Sequence, residues 1–364
     1  MAFSFGFSGE DIELDPDEEI QDQNVQEQGQ SNADVPPPIP AKAHDLDELL
    51  STLPSKISYT TTTITSPQNH TIRLPRRTLI DIRLQLMSED DLTPTRTHAG
   101  LSTTDRQHNI YEGGYKTWEC SLDLVRYLLD RGPRKDLDDL VRVGHVLELG
   151  CGSALPSLVL FGYAIRNELG MCFTLADYNE EVLRLVCLPN LVLMWVLSLD
   201  REARRDVLSD GPQQQHQQQD EQGDEEETDL HLTPHLLQTF KSNLNSLNIT
   251  LTLLSGSWTP TAPLLSLIPS APHLNTFILA SETIYSLSSL DAFTDAMVGV
   301  LSRVKEGKAV VAAKRVYFGV GGSVDAFREA CARRGCVVGE VRFEGLGEEG
   351  EGGVRRCLVE VQMY

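Results

Sequence analysis

Paired cysteines are missing from this chain. It holds 7 cysteines, an odd number, and none stand at C-x-x-C spacing. A disulfide framework and a structural zinc site are both disfavoured, and a reducing compartment is the natural expectation. Long apolar runs are missing too. The most apolar stretch, Leu185 to Leu199, is about 15 residues long and contains Pro189 and Asn190, short of a membrane-spanning helix. Met1 is followed by aromatic, Ser and Gly residues and then by acids, without the basic start of a secretory signal. Bases are scarce: 31 Lys and Arg face 53 Asp and Glu, for a net charge of −22. That balance argues against a protein that works on the phosphate backbone, so no direct nucleic-acid binding and no membrane are expected.

The acidity is concentrated in two places. Residues 1–50 hold 13 acids and one base, Lys42, while residues 210–229 hold 8 acids and no base. The rest is close to neutral, and at 40% hydrophobic residues it can bury a sizeable core. Residues 1-44 read as a disordered acidic tail ending in the stiff Val35–Pro40 linker, with Phe3, Phe5 and Phe7 as a frayed terminus or docking peptide. Residues 45-135 read as an N-terminal cap and flap, with a short amphipathic helix at Leu46–Leu50 and a strand or loop at Ser58–Thr65. Residues 136-364 read as the main domain, interrupted by a low-complexity acidic insertion at 210-229 that is expected to be solvated. His231 and His235 stand four apart, but a proline separates them and no H-E-x-x-H glutamate is present, so a surface pair is expected rather than a metal site.

From about residue 140 strands and helices alternate, the pattern of an α/β parallel sheet. Strands are expected at 145–149, 171–176, 249–254, 276–280 and 308–313, with a terminal antiparallel pair at 336–343 and 355–362. Helices are expected at 154–166, from about 180, at 191–205, 233–247, 289–303 and 323–334.

Four motifs fall at strand carboxyl ends, where open α/β sheets bind ligands. Val146-Leu-Glu-Leu-Gly-Cys-Gly-Ser-Ala-Leu-Pro156 runs a strand through Gly150 and Gly152 into a helix. Leu155 replaces the third glycine of a dinucleotide site, and Glu148 suits a cationic ligand better than a phosphate. S-adenosylmethionine carries an ammonium and a sulfonium. Asp177, with Tyr178 and Asn179, ends the second strand, where a carboxylate accepts from both ribose hydroxyls; either residue 177 or 179 can instead cap the next helix. Ser255-Gly-Ser-Trp258 offers an indole to an adenine face, although a lone Trp after a strand is more often core. Ser281-Glu-Thr-Ile-Tyr285 follows the fourth strand. Upstream, Asn109 to Ser121 reads as a turn into a helix or as a flap over the ligand, with Trp118 as a wall.

The strings Ile110-Tyr-Glu-Gly-Gly-Tyr-Lys-Thr-Trp-Glu-Cys120, Leu-Gly-Cys-Gly-Ser, Ala-Asp-Tyr-Asn, Leu-Pro-Asn-Leu-Val, Ser-Gly-Ser-Trp, Ser-Glu-Thr-Ile-Tyr and Tyr317-Phe-Gly-Val-Gly-Gly322 resemble those of the eukaryotic protein-histidine N-methyltransferases. That family belongs to the seven-β-strand, Rossmann-like, S-adenosylmethionine-dependent class. The resemblance spans about 108–364, and Phe3 to Phe7 fit as well. It implies methylation of one histidine in a basic ribosomal protein of the large subunit, a role in ribosome biogenesis or translation, and residence in cytoplasm and nucleus. It also implies cofactor contacts from Thr117, Trp118, Glu119, Gly150, Gly152, Asp177, Tyr178, Asn179, Gly256, Ser257, Trp258 and Ser281.

A histidine substrate is mostly neutral at pH 7, so the enzyme's task is to fix the tautomer through an acceptor for the non-reacting N–H. Glu282 and Tyr285 are the candidates, with Glu112 as a further acceptor; Glu282 can also cap a helix or pair with Lys314, and Tyr285 can simply pack. A lysine methyltransferase of the same fold is the nearest alternative, and a non-catalytic scaffold a more distant one. A nucleic-acid amino-methyltransferase would want an Asn/Asp-Pro-Pro-aromatic run where this chain has Ser281-Glu-Thr-Ile.

Overall fold

The computed structural model describes residues 38–90, 114–132, 143–209, 227–317, 319–346 and 355–363. Their centre is an eight-stranded sheet. Five strands run parallel: β4 (His145–Leu149), β5 (Cys172–Asp177), β7 (Thr250–Ser255), β8 (Thr276–Ser281) and β9 (Gly307–Lys314). β10 (Cys336–Val341) and β11 (Arg356–Met363) close one edge as an antiparallel pair, and β1 (Lys42–His44) closes the other, antiparallel to β7. The order is β1-β7-β5-β4-β8-β9-β11-β10. β4 lies between β5 and β8, so the chain leaves it in opposite directions and the crevice opens at its carboxyl end.

The strands read as continuous apolar runs because both faces are covered. Val146, Phe173 and Leu279 pack into one hydrophobic layer, with helices α3 (Glu119–Arg131), α4 (Leu155–Arg166) and α5 (Glu180–Ser198). Leu147, Ile278 and Val311 pack into the other, with α8 (Thr261–Leu267), α9 (Leu287–Leu301) and α10 (Val324–Arg333). Helix α5 is apolar all round because it is buried, not because it meets lipid. Ahead of Pro189, which has no N–H to donate, its ladder widens into a π turn over Leu183–Cys187.

A second, three-stranded sheet joins β2 (Lys56–Thr65), β3 (Thr71–Arg77) and β6 (Thr228–His231) in the order β3-β2-β6. β6 was not expected. It takes up the last residues of the stretch assigned to the acidic insertion, where Asp229 accepts from Lys56 Nζ at 2.6 Å and Ser58 Oγ at 2.5 Å. Four helices complete the described chain: α1 (Leu46–Ser51), α2 (Leu79–Asp90), α6 (Arg201–Val207) and α7 (Pro234–Ser246).

The expectation of a disordered tail through residue 44 fails for its last residues. Pro38–His44 runs along β7, with Lys42 opposite Ser255, and the Ser257 N–H donates to the Ile39 carbonyl at 2.8 Å. His44 Nε2 meets Ser255 Oγ at 2.7 Å, which pins the strand's end. The prolines that read as a linker instead lead straight into an edge strand.

Candidate active site

A cavity of about 420 Å³ opens at the carboxyl ends of the parallel strands, within the usual range for a small-molecule site. Its floor is the turn after β4. Gly150 and Gly152 both have left-handed backbones, at φ 69° and 50°. A Cβ on Gly150 would lie 2.8 Å from Thr283 Cγ2 and 3.7 Å from the Trp258 ring, so only glycine fits beneath those side chains. A Cβ on Gly152 would lie 3.5 Å from Gly114 of the flap. The flap thus reaches the glycine turn. Thr117 Oγ1 lies 3.1 Å from Ser153 Oγ and accepts from Arg76 of β3 at 3.2 Å, which ties the flap to both sheets. Asn190 braces the turn from α5: its Nδ2 donates to Ser153 O at 3.0 Å and its Oδ1 accepts from Arg77 N at 2.9 Å. Those two bonds explain the asparagine of the Leu-Pro-Asn string.

Asp177 is buried at the end of β5. Its Oδ2 accepts the Gly152 N–H at 2.9 Å and its Oδ1 accepts the Asn179 N–H at 3.1 Å. Burial pushes its carboxyl up to about 6, against the pull of those N–H groups. Asn179 stands at the helix N-cap position but does not cap; its amide turns back to Asp177 Oδ1 at 3.4 Å. Glu148 departs from its expected role. It does not line the cavity but is buried beneath α4, accepting the Ser157 N–H at 3.0 Å, and burial raises it to about 8.

The opposite end of the cavity is built from β8 and β9. Glu282 follows β8 with a left-handed φ of 56°, a strained setting for a residue with a Cβ. Its Oε1 is buried without a hydrogen-bond partner among the described residues and lies 3.6 Å from Lys314 Nζ. It does not cap α9; Ser286 and Ser289 form the capping box there. Tyr317 accepts the Lys314 backbone N–H at 3.2 Å, and burial, reinforced by the neighbouring Glu282 carboxylate, keeps its hydroxyl protonated.

Of the residues expected at the site, Thr117, Trp118, Gly150, Gly152, Asp177, Tyr178, Ser257, Trp258, Ser281, Glu282 and Tyr285 line one cavity. Glu119, Asn179 and Gly256 do not. Glu119 stands behind the wall, 3.4 Å from Lys314 Nζ, and Asn179 holds Asp177. Gly256 makes room for the edge segment: a Cβ there would lie 2.4 Å from the Pro40 carbonyl oxygen. Glu112 lies outside the described residues. Sequence reasoning missed Pro38 and Thr283 as lining residues, and named Lys314 only as a partner for Glu282.

The lining fits S-adenosylmethionine. Gly150 and Gly152 line the cavity with bare backbone, which lets a ligand approach the turn closely. Asp177 and Trp258 offer an acceptor and an aromatic face at the β5–β7 end. Thr283 Oγ1 and Glu282 Oε1 are buried polar atoms without a hydrogen-bond partner among the described residues, the condition of groups meant for a ligand.

A parallel sheet in this order, with its glycine turn, its strand-end acid and a crevice above them, defines the S-adenosylmethionine-dependent methyltransferase class. No family model matches the chain. It is 35% identical over 329 residues to Histidine protein methyltransferase 1 of Schizosaccharomyces pombe, covering 90% of this chain and 84% of that protein. It is 34% identical over 355 residues to Histidine protein methyltransferase 1 of Saccharomyces cerevisiae, covering 90% and 89%. Among solved structures, the glycopeptide N-methyltransferase MtfA complexed with sinefungin aligns at 13% identity and a TM-score of 0.32, over 64% of this chain and 85% of that one. The chain belongs to the Histidine protein methyltransferase 1 family. It is a protein methyltransferase.

Proposed function

We propose that this enzyme transfers a methyl group to a ring nitrogen of a histidine in a basic ribosomal protein of the large subunit, serving ribosome biogenesis or translation in cytoplasm and nucleus. Relatives named for histidine methylation support the residue type. The structural observation that supports it is the buried Glu282 carboxylate in the cavity wall, whose Oε1 pairs with Lys314 but makes no hydrogen bond among the described residues.

When bound, S-adenosylmethionine supplies an electrophilic methyl group. Gly150, Gly152, Asp177, Tyr178, Ser257 and Trp258 would hold it, leaving the β8–β9 end of the cavity for the substrate side chain. An imidazole is mostly uncharged at pH 7, so no base has to strip it first. One ring nitrogen attacks while the other keeps its proton. Glu282 accepts that N–H, selects the tautomer and opposes the positive charge that develops on the ring as it is alkylated. Trp118 and Tyr285 wall the ring in, and alignment does the rest. The net charge of −22 favours approach of a basic protein, an attraction that weakens with added salt.

Glu282→Gln tests the assignment. Methylhistidine formation should fall about 100-fold or more in kcat, the usual worth of a positioned proton acceptor, while cofactor affinity by titration calorimetry holds steady. Full activity in that variant would remove Glu282 from the chemistry.

A further inference from the structure

Lys314 projects from the last residue of β9 into the substrate half of the cavity. Its ammonium stands 5.3 Å from the centre of the Trp118 ring, 3.4 Å from Glu119 Oε2 and 3.6 Å from Glu282 Oε1. An aromatic face with carboxylates beside it is what recognises an alkylammonium. The chain has filled such a place with its own side chain.

We propose that Lys314 occupies, from within the fold, the position a substrate lysine ammonium would take, and so restricts the enzyme to an uncharged ring nitrogen. The inference rests on the reading of the site as a histidine methyltransferase. Lys314 is a specificity-determining residue rather than a catalytic one. It takes no proton and makes no bond to the methyl group. It fills the space beside Trp118 and presents a like charge to any incoming ammonium. At 3.6 Å it is close enough to Glu282 Oε1 to pair, yet that oxygen makes no hydrogen bond among the described residues and keeps its accepting capacity for an imidazole N–H. Selectivity thus comes from a repulsive element built against the wrong substrate.

The test uses the full-length enzyme and two forms of one ribosomal-protein peptide, with histidine or lysine at the target position. The wild type should form methylhistidine with only a low, measurable trace of methyllysine. Lys314→Ala should form both, its histidine-to-lysine ratio of kcat/KM falling about tenfold or more. Lys314→Arg should keep the wild-type ratio, because the charge stays in place. Ethylammonium added to Lys314→Ala should refill the vacated place and restore the ratio, which no merely structural role would do. Lys314→Ser replaces the alanine variant where that fails to fold. The proposal is overturned by an unchanged ratio in Lys314→Ala, or by a proportional loss on both peptides that ethylammonium leaves untouched. A wild type that binds cofactor yet methylates only the lysine peptide would refute the histidine reading itself.

Discussion

The Gly152 N–H donates to Oδ2 of Asp177 across 2.9 Å, fastening the glycine turn after β4 to the acid that ends β5. Asp177 is therefore both a candidate ribose acceptor and the clamp that shapes the turn. Asparagine keeps its size but offers one oxygen to two N–H donors, Gly152 and Asn179. Asp177→Asn should weaken cofactor binding by about 10-fold or more, since each buried donor left unpaired costs about 1–3 kcal/mol. Calorimetric titration measures this; an unchanged affinity would show that the clamp is dispensable.

The two glycines of the turn should differ in their response to alanine. At Gly150 the new Cβ meets Thr283 Cγ2 at 2.8 Å, whereas at Gly152 it rests at 3.5 Å from Gly114. Both pay for a left-handed backbone, about 1–2 kcal/mol. Only Gly150→Ala also pushes on Thr283 in the cavity wall. Cofactor affinity should drop far more in Gly150→Ala than in Gly152→Ala, and equal losses would place the ligand elsewhere.

Glu148 gives a pH signature. Burial raises its carboxyl from 4.5 to about 8, with the nearby Asp177 charge adding to the effect. The folded protein then holds a proton that the unfolded chain releases between those values. Stability falls as pH rises through that window, by up to about 1.4 kcal/mol per pH unit, and this group adds no slope above it. Glu148→Gln should remove that slope relative to wild type in denaturant melts between pH 5 and about 8. Parallel profiles for the two proteins would show that Glu148 does not titrate there.

The edge segment should prove part of the binding machinery. Gly256→Ala drives a Cβ to within 2.4 Å of the Pro40 carbonyl oxygen, on a backbone at φ 107°. β1 should lift from β7, with a loss of about 2–4 kcal/mol from strain and broken pairing. Because Pro38 lines the cavity, cofactor affinity should fall too. Hydrogen exchange at Lys42–His44 reports the lifting, and unaltered protection there would contradict it.

The parallel strands were legible because each is a short apolar run that ends in a turn signal, and Gly150, Asp177 and Trp258 could be placed from that frame alone. β1 was not legible. Three residues after a run of prolines show no alternation, and their pairing with β7 depends on Gly256, far along the chain. β6 was hidden for a similar reason, at the end of an acidic run whose charge outweighed its strand pattern. Glu148 misled because spacing shows that an acid stands near a turn, not which way it points. Lys314 became visible as a site residue only when the fold brought α3, β8 and β9 around one ammonium.

The most direct test of the central claim is a labelled transfer. Purified enzyme and S-adenosylmethionine carrying a labelled methyl group are incubated with ribosomal proteins from cells lacking this enzyme, and the product is hydrolysed for amino-acid analysis. The account predicts label in methylhistidine, lost with Asp177→Ala. Label in methyllysine, or none despite measurable cofactor binding, would contradict it.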